Sequence, residues 1–375
     1  MNFTESAAKP LLATVGIPTP RSYVCNTLAG VEQAQKLLGA CVIKAQVPTG
    51  KRGKAGGIKM ANSQIAARRH AERILAMTIG GYQVERLLVE EAVPINVETY
   101  AAVTTDPVSK GPLLLYAPVG GMDIEEIAAK RPETLMRVPV DIRKGFDADA
   151  VRAAVPANSP FTAEAVTSVL QRLYSIYTNL DAELIEINPL VLTKTARMLA
   201  LDCKLVIDDA AISRQKDVAE HGSPEKLTAL EQRAATFDLK YIELDGDVGV
   251  LANGAGLTMT TMDAIRHYGG KPANFMEIGG EAYTKAKPAL EIVLANPRVK
   301  ALLVNFCGAF ARTDVMAEGV VTAWQELKPT IPIIFTIHGT NEDEAIALVK
   351  SRLGITPHDL MDDAVKAAVA AARSA

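Results

Sequence analysis

Glu183-Leu-Ile-Glu186-Ile-Asn188-Pro-Leu-Val-Leu-Thr-Lys194-Thr195-Ala196-Arg-Met-Leu-Ala-Leu-Asp202-Cys-Lys204-Leu205 alternates polar and apolar side chains on both sides of a short polar break. That is the period of a two-stranded hairpin with one buried face. With the turn at Lys194-Thr195-Ala196, Asn188 stands across from Asp202 and Glu186 across from Lys204. Ile185, Ile187, Leu201, Cys203 and Leu205 then point to the opposite, core face. Two oxygen-bearing side chains meeting on a rigid sheet suit a hard cation such as Mg2+, which keeps several waters and takes its remaining ligands from nucleotide phosphates. The alternative for the same pattern is a half-exposed hairpin whose polar face is simply solvated.

Two further segments carry compatible chemistry. Ala40-Cys-Val-Ile-Lys44-Ala-Gln-Val reads as a buried strand. It breaks into Pro48-Thr-Gly50-Lys51-Arg52-Gly53-Lys54-Ala-Gly56-Gly57, and a strand resumes at Ile58-Lys59-Met60. Glycines let a backbone close over phosphates, and Lys and Arg supply the countercharge. The loop is neither a Walker loop nor a dinucleotide fingerprint, since the spacing and the following helix that each requires are missing. Leu87-Leu-Val-Glu90-Glu91-Ala-Val93-Pro-Ile-Asn-Val-Glu98-Thr-Tyr is a strand ending in acids, which suits acceptors for an adenine amino group or a ribose hydroxyl. A mobile basic loop and a solvated strand end are the plainer alternatives.

In this order the segments resemble the β-subunit family of succinyl-CoA synthetase, ADP-forming acid–CoA ligases built on an ATP-grasp fold. The resemblance covers nearly the whole chain. It starts at Met1-Asn-Phe-Thr-Glu-Ser-Ala-Ala-Lys-Pro-Leu-Leu and Val15-Gly-Ile-Pro-Thr-Pro. It runs through Arg52-Gly-Lys-Ala-Gly-Gly, Glu186-Ile-Asn-Pro-Leu and Leu201-Asp-Cys-Lys-Leu into Ala252-Asn253-Gly-Ala-Gly-Leu-Thr-Met, Gly269-Gly-Lys-Pro-Ala-Asn-Phe-Met-Glu-Ile-Gly-Gly and Val304-Asn-Phe-Cys-Gly-Ala-Phe-Ala-Arg-Thr-Asp.

At 375 residues, 49% hydrophobic and 22% charged, the chain has the composition of an ordinary water-soluble enzyme of two or three domains. It has no basic-then-apolar start and no apolar run of membrane length. Its net charge of −3 gives no strong basic field for nucleic acid. Cys25, Cys41, Cys203 and Cys307 are scattered, and reduced thiols in a cytoplasmic protein are the expected reading. The fold class expected is α/β, with α+β character in the N-terminal part. An ATP-grasp domain over 1–235, with a small lobe near 20–105, precedes a flavodoxin-like doubly wound parallel-sheet domain over 236–375. In that second part, strands at Val248-Gly-Val-Leu-Ala, Ala301-Leu-Leu-Val-Asn and Ile331-Pro-Ile-Ile-Phe alternate with helical stretches near 256–267, 283–295, 314–327 and 341–352. Asn253-Gly-Ala-Gly and Cys307-Gly-Ala-Phe-Ala-Arg fall at strand ends that open helices, where backbone N–H groups hold an anion or glycines simply make tight turns.

The resemblance implies roles residue by residue. Lys44 binds nucleotide phosphate, the backbone of Lys51, Arg52 and Gly53 covers it, and Glu90, Val93 and Glu98 line base and ribose. Asn188 and Asp202 hold Mg2+, and Glu186 faces the place where a phosphohistidine picks up its phosphoryl group. Asn253 and the Ala309-Phe310-Ala311 loop contact the acid. ATP, Mg2+ and CoA are the implied ligands. The resemblance also implies that the relay histidine, and mainly CoA, belong to a separate α subunit in an αβ or α2β2 assembly, and His70, His221, His267, His338 and His358 are expected to lie outside the glycine-rich turns where a phosphorylated histidine would sit. The chain departs from the family at the acid-binding end. Cys307-Gly-Ala-Phe-Ala-Arg replaces Phe-Gly-Gly-Ile-Val-Arg, and Thr336-Ile-His338-Gly replaces Arg-Leu-Glu-Gly. Pro48-Thr-Gly-Lys replaces His-Ala-Gly-Gly in the nucleotide loop. A crowded pocket, and hence an acid other than succinate such as sulfoacetate, with malate and succinate as competitors, is expected from the added methyl and phenyl groups. The alternative enzyme reading keeps the grasp fold but joins the acid to an amine, against which the CoA-ligase-like carboxyl half counts, or belongs to the citrate-cleaving branch.

Overall fold

The computed structural model describes the chain apart from residues 131, 225, 280, 281 and 375, so the last glycine of the 269–280 motif lies outside the described residues. The chain forms two compact units, Met1–Glu225 and Lys226–Ala375. Helix Ala229–Ala235, on the N-terminal side of the 235/236 division expected from sequence, packs against strand Tyr241–Glu243 and helix Ala282–Leu294 of the second unit.

The first unit holds two main antiparallel sheets, beside a two-residue antiparallel pairing of Thr78–Ile79 with Tyr82–Gln83. The smaller runs Ser22–Cys25, Leu87–Glu91, Cys41–Ala45, Ile58–Ala61. Helices Leu28–Leu38 and Gln64–Leu75 cover it, each starting where a hydroxyl, Thr27 or Ser63, accepts an otherwise orphaned first-turn N–H. Val31, Ala34 and Leu38 on one helix and Ala67, Ala71 and Ile74 on the other recur at three- and four-residue spacing and form its core. The larger sheet runs Met198–Ala200, Ala182–Thr193, Ile95–Asp106, Gly111–Ala117, Met136–Pro139, with Lys204–Ile207 also paired to Ala182–Thr193. Helices Glu5–Thr14 and Ala163–Asn179 bury Leu12, Val166, Leu170, Leu173 and Ile176 against one face. The small lobe ends at Glu91 rather than near 105, because Ile95–Asp106 pairs with Ala182–Thr193 and Gly111–Ala117. Only Ala92, Val93 and Pro94 separate it from the small-sheet strand, and no change of composition marks the crossing.

The second unit is a parallel sheet in flavodoxin-like order. Val248–Ala252 pairs with Ala301–Gly308, which pairs with Ile333–Gly339. Single parallel bridges add Pro272 and Glu277 on one side and His358 on the other. The order is therefore 2-1-3-4-5, with helices Ala255–His267, Ala282–Leu294, Thr313–Leu327 and Glu342–Leu353 in the connections. The third strand expected at 331–335 is displaced to Ile333–Gly339, since Pro332 lacks the N–H that a central strand must donate. Strand Tyr241–Glu243, antiparallel to Asn274–Met276, and the closing helix Met361–Ser374 complete the unit.

Candidate functional site

The hairpin forms as its alternation demands. Glu186 pairs with Lys204 and Leu190 with Ala200 in a single register, which places Asn188 opposite Asp202 in the unpaired interval between. Against Ile95–Asp106 the ladder shifts between Ile187 and Leu190, so Asn188 and Pro189 are left out of that pairing and the polar face is re-aimed locally. Ile185, Ile187, Cys203 and Leu205 are buried in the core, while Leu201 is only half-buried. Burial pushes the Glu186 carboxyl up. The Tyr100 hydroxyl, donating at 2.9 Å, and the Lys204 charge pull it back, while Asp202 and Glu125 add to the rise.

The residues expected to bind nucleotide converge on a buried cluster of three cations and three carboxylates. Lys44 Nζ donates to Glu5 Oε1 at 2.8 Å, to Glu90 Oε1 at 2.7 Å and to the Leu201 carbonyl at 2.6 Å. Lys9 Nζ donates to the other Glu90 oxygen and to the same Leu201 carbonyl, and lies 2.6 Å from Glu5 Oε1. Arg52 reaches Glu5 Oε2 at 2.8 Å through Nη1 and both Asp202 carboxylate oxygens at 2.7 Å through Nη2. Glu5, Lys9, Lys44, Arg52 and Glu90 are each under a tenth exposed. Isolated buried charges would be costly, and the one-to-one balance of sign is what makes the cluster tolerable. Burial works to raise the Glu5 carboxyl, yet Lys44, Lys9 and Arg52 outweigh it and hold it well below the ordinary range. Burial and the charge of Glu5 push Asp202 the other way, against Arg52, Lys44 and Lys9.

Around this cluster the loop 48–57 turns with Lys51 in the left-handed region at φ 61° and Gly56 at φ 85°. Lys51 and Gly53 are exposed and Arg52 is folded inward. Glu90 therefore faces the two lysines, whereas Val93 and Glu98 are half-buried beyond the strand end. The sequence reading missed a second glycine loop. Asn188 accepts from Gly121 N at 2.8 Å and donates to Met122 O at 2.9 Å, and Asp123 pairs with Lys54 at 2.6 Å. Gly120 sits so close to Ile95–Asp106 that a Cβ there would lie 2.2 Å from Thr99 O. Glu5 and Lys9 were missed as well. They share the 5, 8, 9, 12 stripe of their helix with Ala8 and Leu12, and charges on an apolar stripe are the signal that points inward.

Asn188 and Asp202 are an oxygen donor pair in one register beside phosphate-type cations, and that donor set fits Mg2+ shared with a nucleotide. Among the described residues no group of three or more His, Cys, Asp and Glu side chains is placed to hold a metal.

In the second unit Asn253 binds Cys307 twice, its amide donating to Cys307 O and accepting from Cys307 N at 2.8 Å each. Thr340 N donates to Gly308 O at 2.9 Å and Thr340 Oγ1 to Ala309 O at 2.8 Å, fixing the root of the 309–311 loop. Ala309 is exposed, Phe310 fully exposed and Ala311 half-buried. The tight pocket expected around Ala309 and Phe310 is therefore not formed by this unit's own side chains. His338 lies in strand Ile333–Gly339 rather than in a turn. It directly precedes Gly339, at φ 107°, with its ring nitrogens toward Asp359 O and, at 3.7 Å, Glu342 Oε2.

The ATP-grasp domain family matches residues 2–192 and the CoA-ligase family residues 251–369. The chain is 40% identical over 370 residues to the ADP-forming succinate–CoA ligase subunit beta of Desulfurococcus amylolyticus, covering 97% of both chains. It is 40% identical over 355 residues to the GDP-forming subunit beta of Thermus thermophilus, covering 94% of both. Among solved structures, the ATP citrate lyase of Methanothrix soehngenii in complex with citrate and coenzyme A superposes with a TM-score of 0.71 at 23% identity, over 98% of this chain and 99% of that one. That likeness speaks for the fold.

Proposed function

The chain belongs to the succinate–CoA ligase β-subunit family, and from that premise we propose that it is the nucleotide-binding subunit of an ADP-forming acid–CoA ligase, working with an α subunit on a small dianionic acid. The observation that supports this most directly is the gathering of Lys44 and Arg52 in one charge-balanced cluster, with Arg52 on Asp202 and the facing Asn188 held by the second glycine loop. A carboxylate is a poor electrophile for a thiol. Phosphoryl transfer from ATP, directly or through a partner histidine, makes it an acyl phosphate that the CoA thiolate attacks, giving acyl-CoA and phosphate. Positioning and charge neutralisation carry such a transfer.

Lys44 and Arg52 hold the phosphates, with the backbone of Lys51, Arg52 and Gly53 and the Gly120-Gly121 turn covering them. Val93 and Glu98 border the base and ribose, and Glu90 serves them only as far as it releases the lysines. Asn188 and Asp202 hold Mg2+, which when bound draws charge from the phosphate oxygens and orients them. Glu186 faces the phosphoryl group exchanged with the partner's histidine, and Tyr100 holds its orientation. Asn253 and the backbone of Ala309, Phe310 and Ala311 receive the acid at the carboxyl ends of the parallel strands, where ligands of this sheet type sit. No helix among the described residues is long and apolar enough to cross a membrane. The buried free thiols of Cys25, Cys41 and Cys203 suit a cytoplasmic setting.

The test is a panel of acids, succinate, malate and sulfoacetate first, with Mg·ATP, CoA and the purified pair of subunits, following ADP and acyl-CoA together. One acid should give both products in equal amount. No acyl-CoA from any acid, or ADP release that ignores CoA, would reject the reading. Ala309→Gly/Phe310→Ile should change the order of preference by kcat/KM, and an unchanged order would remove that loop from acid selection.

A further inference from the structure

Lys44 has three N–H donors, and all three are already spent on Glu5, Glu90 and the Leu201 carbonyl. It can reach a nucleotide phosphate only by letting one of them go, and an abandoned buried carboxylate is costly. Lys9 touches the same three groups, one of them through the second oxygen of Glu90. The two ammoniums thus stand over one set of acceptors. They reach it from different elements, Lys9 from the helix Glu5–Thr14 and Lys44 from the strand Cys41–Ala45.

We propose that Lys9 is a positioning residue for nucleotide binding: it keeps Glu5, Glu90 and the Leu201 carbonyl satisfied when Lys44 turns to the phosphate. Binding is then an exchange of partners at nearly constant buried charge. The incoming phosphate replaces the carboxylates around Lys44, and Lys9 retains them. Arg52 fits the same scheme, since its Nη1 stays anchored on Glu5 and the Ala45 carbonyl while Nη2 is the group shared with Asp202. A lysine of purely structural value would need no second cation at its acceptors. The inference rests on the reading of Lys44 as a phosphate ligand.

The test compares Lys9→Met, Lys44→Met, Glu5→Gln and Lys9→Met/Glu5→Gln in the full chain paired with its α subunit, by calorimetric titration with Mg·ADP and by KM for ATP against kcat. Lys9→Met leaves two carboxylates on Lys44 alone and should weaken Mg·ADP binding about tenfold or more, with KM for ATP rising in step and kcat moving less. Glu5→Gln, which leaves two ammoniums for one carboxylate, should bind Mg·ADP at least as tightly as the wild type. The double variant restores the balance of charge and should recover most of the loss. Lys9→Met binding within twofold of the wild type overturns the inference, as does a loss that Glu5→Gln fails to recover. If Lys9→Met does not fold, Glu5→Gln decides alone, because weakened binding there contradicts the exchange. Loss in Lys44→Met with none in Lys9→Met sinks this inference only, whereas unaltered binding in Lys44→Met sinks the phosphate reading beneath it.

Discussion

Asp202 is held between two demands. It accepts both contacts of Arg52 Nη2 and the N–H of Cys203 at 2.8 Å, and it stands opposite Asn188 where a cation would be shared. Its backbone neighbours, Cys203 and Leu205, are held by the core rather than by the charge. Asp202→Ala should therefore keep the hairpin, with a lowered melting temperature from the carboxylate taken from buried Arg52, and remove most Mg2+-dependent nucleotide turnover, by about 100-fold, the scale on which groups around a metal matter. Circular dichroism melts beside ADP release over a Mg2+ titration check this, and a variant that keeps its activity would dissociate the hairpin from metal binding. The hairpin residues were legible because alternation assigns faces without any knowledge of neighbours. Glu5 and Lys9 were not, because an i,i+4 Glu–Lys pair on a helix is the ordinary mark of a solvated surface. The apolar stripe they share with Ala8 and Leu12 points them inward, but the partners they meet there, Lys44 and Glu90 of the small sheet, are a fact of topology that no local pattern contains.

Among the elements, the turn at Gly120-Gly121 is tightly constrained. A Cβ at Gly120 would meet the backbone of Thr99, which cannot give way as a side chain could, and Gly121 lies at φ 71° against the Glu98 carboxylate. Gly120→Ala should cost about 1–3 kcal/mol of stability, on the scale of overpacking, and raise KM for ATP by lifting the turn off Asn188. Urea denaturation and initial rates measure both, and normal values for both would mean the turn has no part in nucleotide binding. The strand preceding this turn could be seen in the apolar run 112–117, but the turn's place beside Asn188 depends on which strands pair. The same gap explains the small-lobe boundary. Leu87–Glu91 and Ile95–Asp106 are both strand-like and nearly contiguous, so only the hydrogen-bond partners separate them into different sheets. Pro332 is the opposite case, a local rule that could have set the start of Ile333–Gly339 correctly.

At the scale of the molecule, the residues proposed to hold phosphate and metal all belong to Met1–Glu225, and the loop proposed to receive the acid belongs to Lys226–Ala375. No histidine in this chain is bracketed by glycines in sequence. The chain alone should bind Mg·ATP yet form no acyl-CoA, and mixing with its α subunit should restore synthesis. A single purified chain that makes acyl-CoA at the rate of the pair, with contamination excluded, would contradict the division of labour. The alternation of strands and helices made the second unit readable, but not its outer additions. Tyr241–Glu243 and Asn274–Met276 span three residues each, too short for any periodicity to register. The amide of Asn253 meets Cys307 only through the main chain, as a neighbouring strand would. Position 307 is thereby exempt from holding the two strand ends together. Its exposed side chain can therefore be exchanged without disturbing that link, which would let the same frame vary the lining of the proposed acid site.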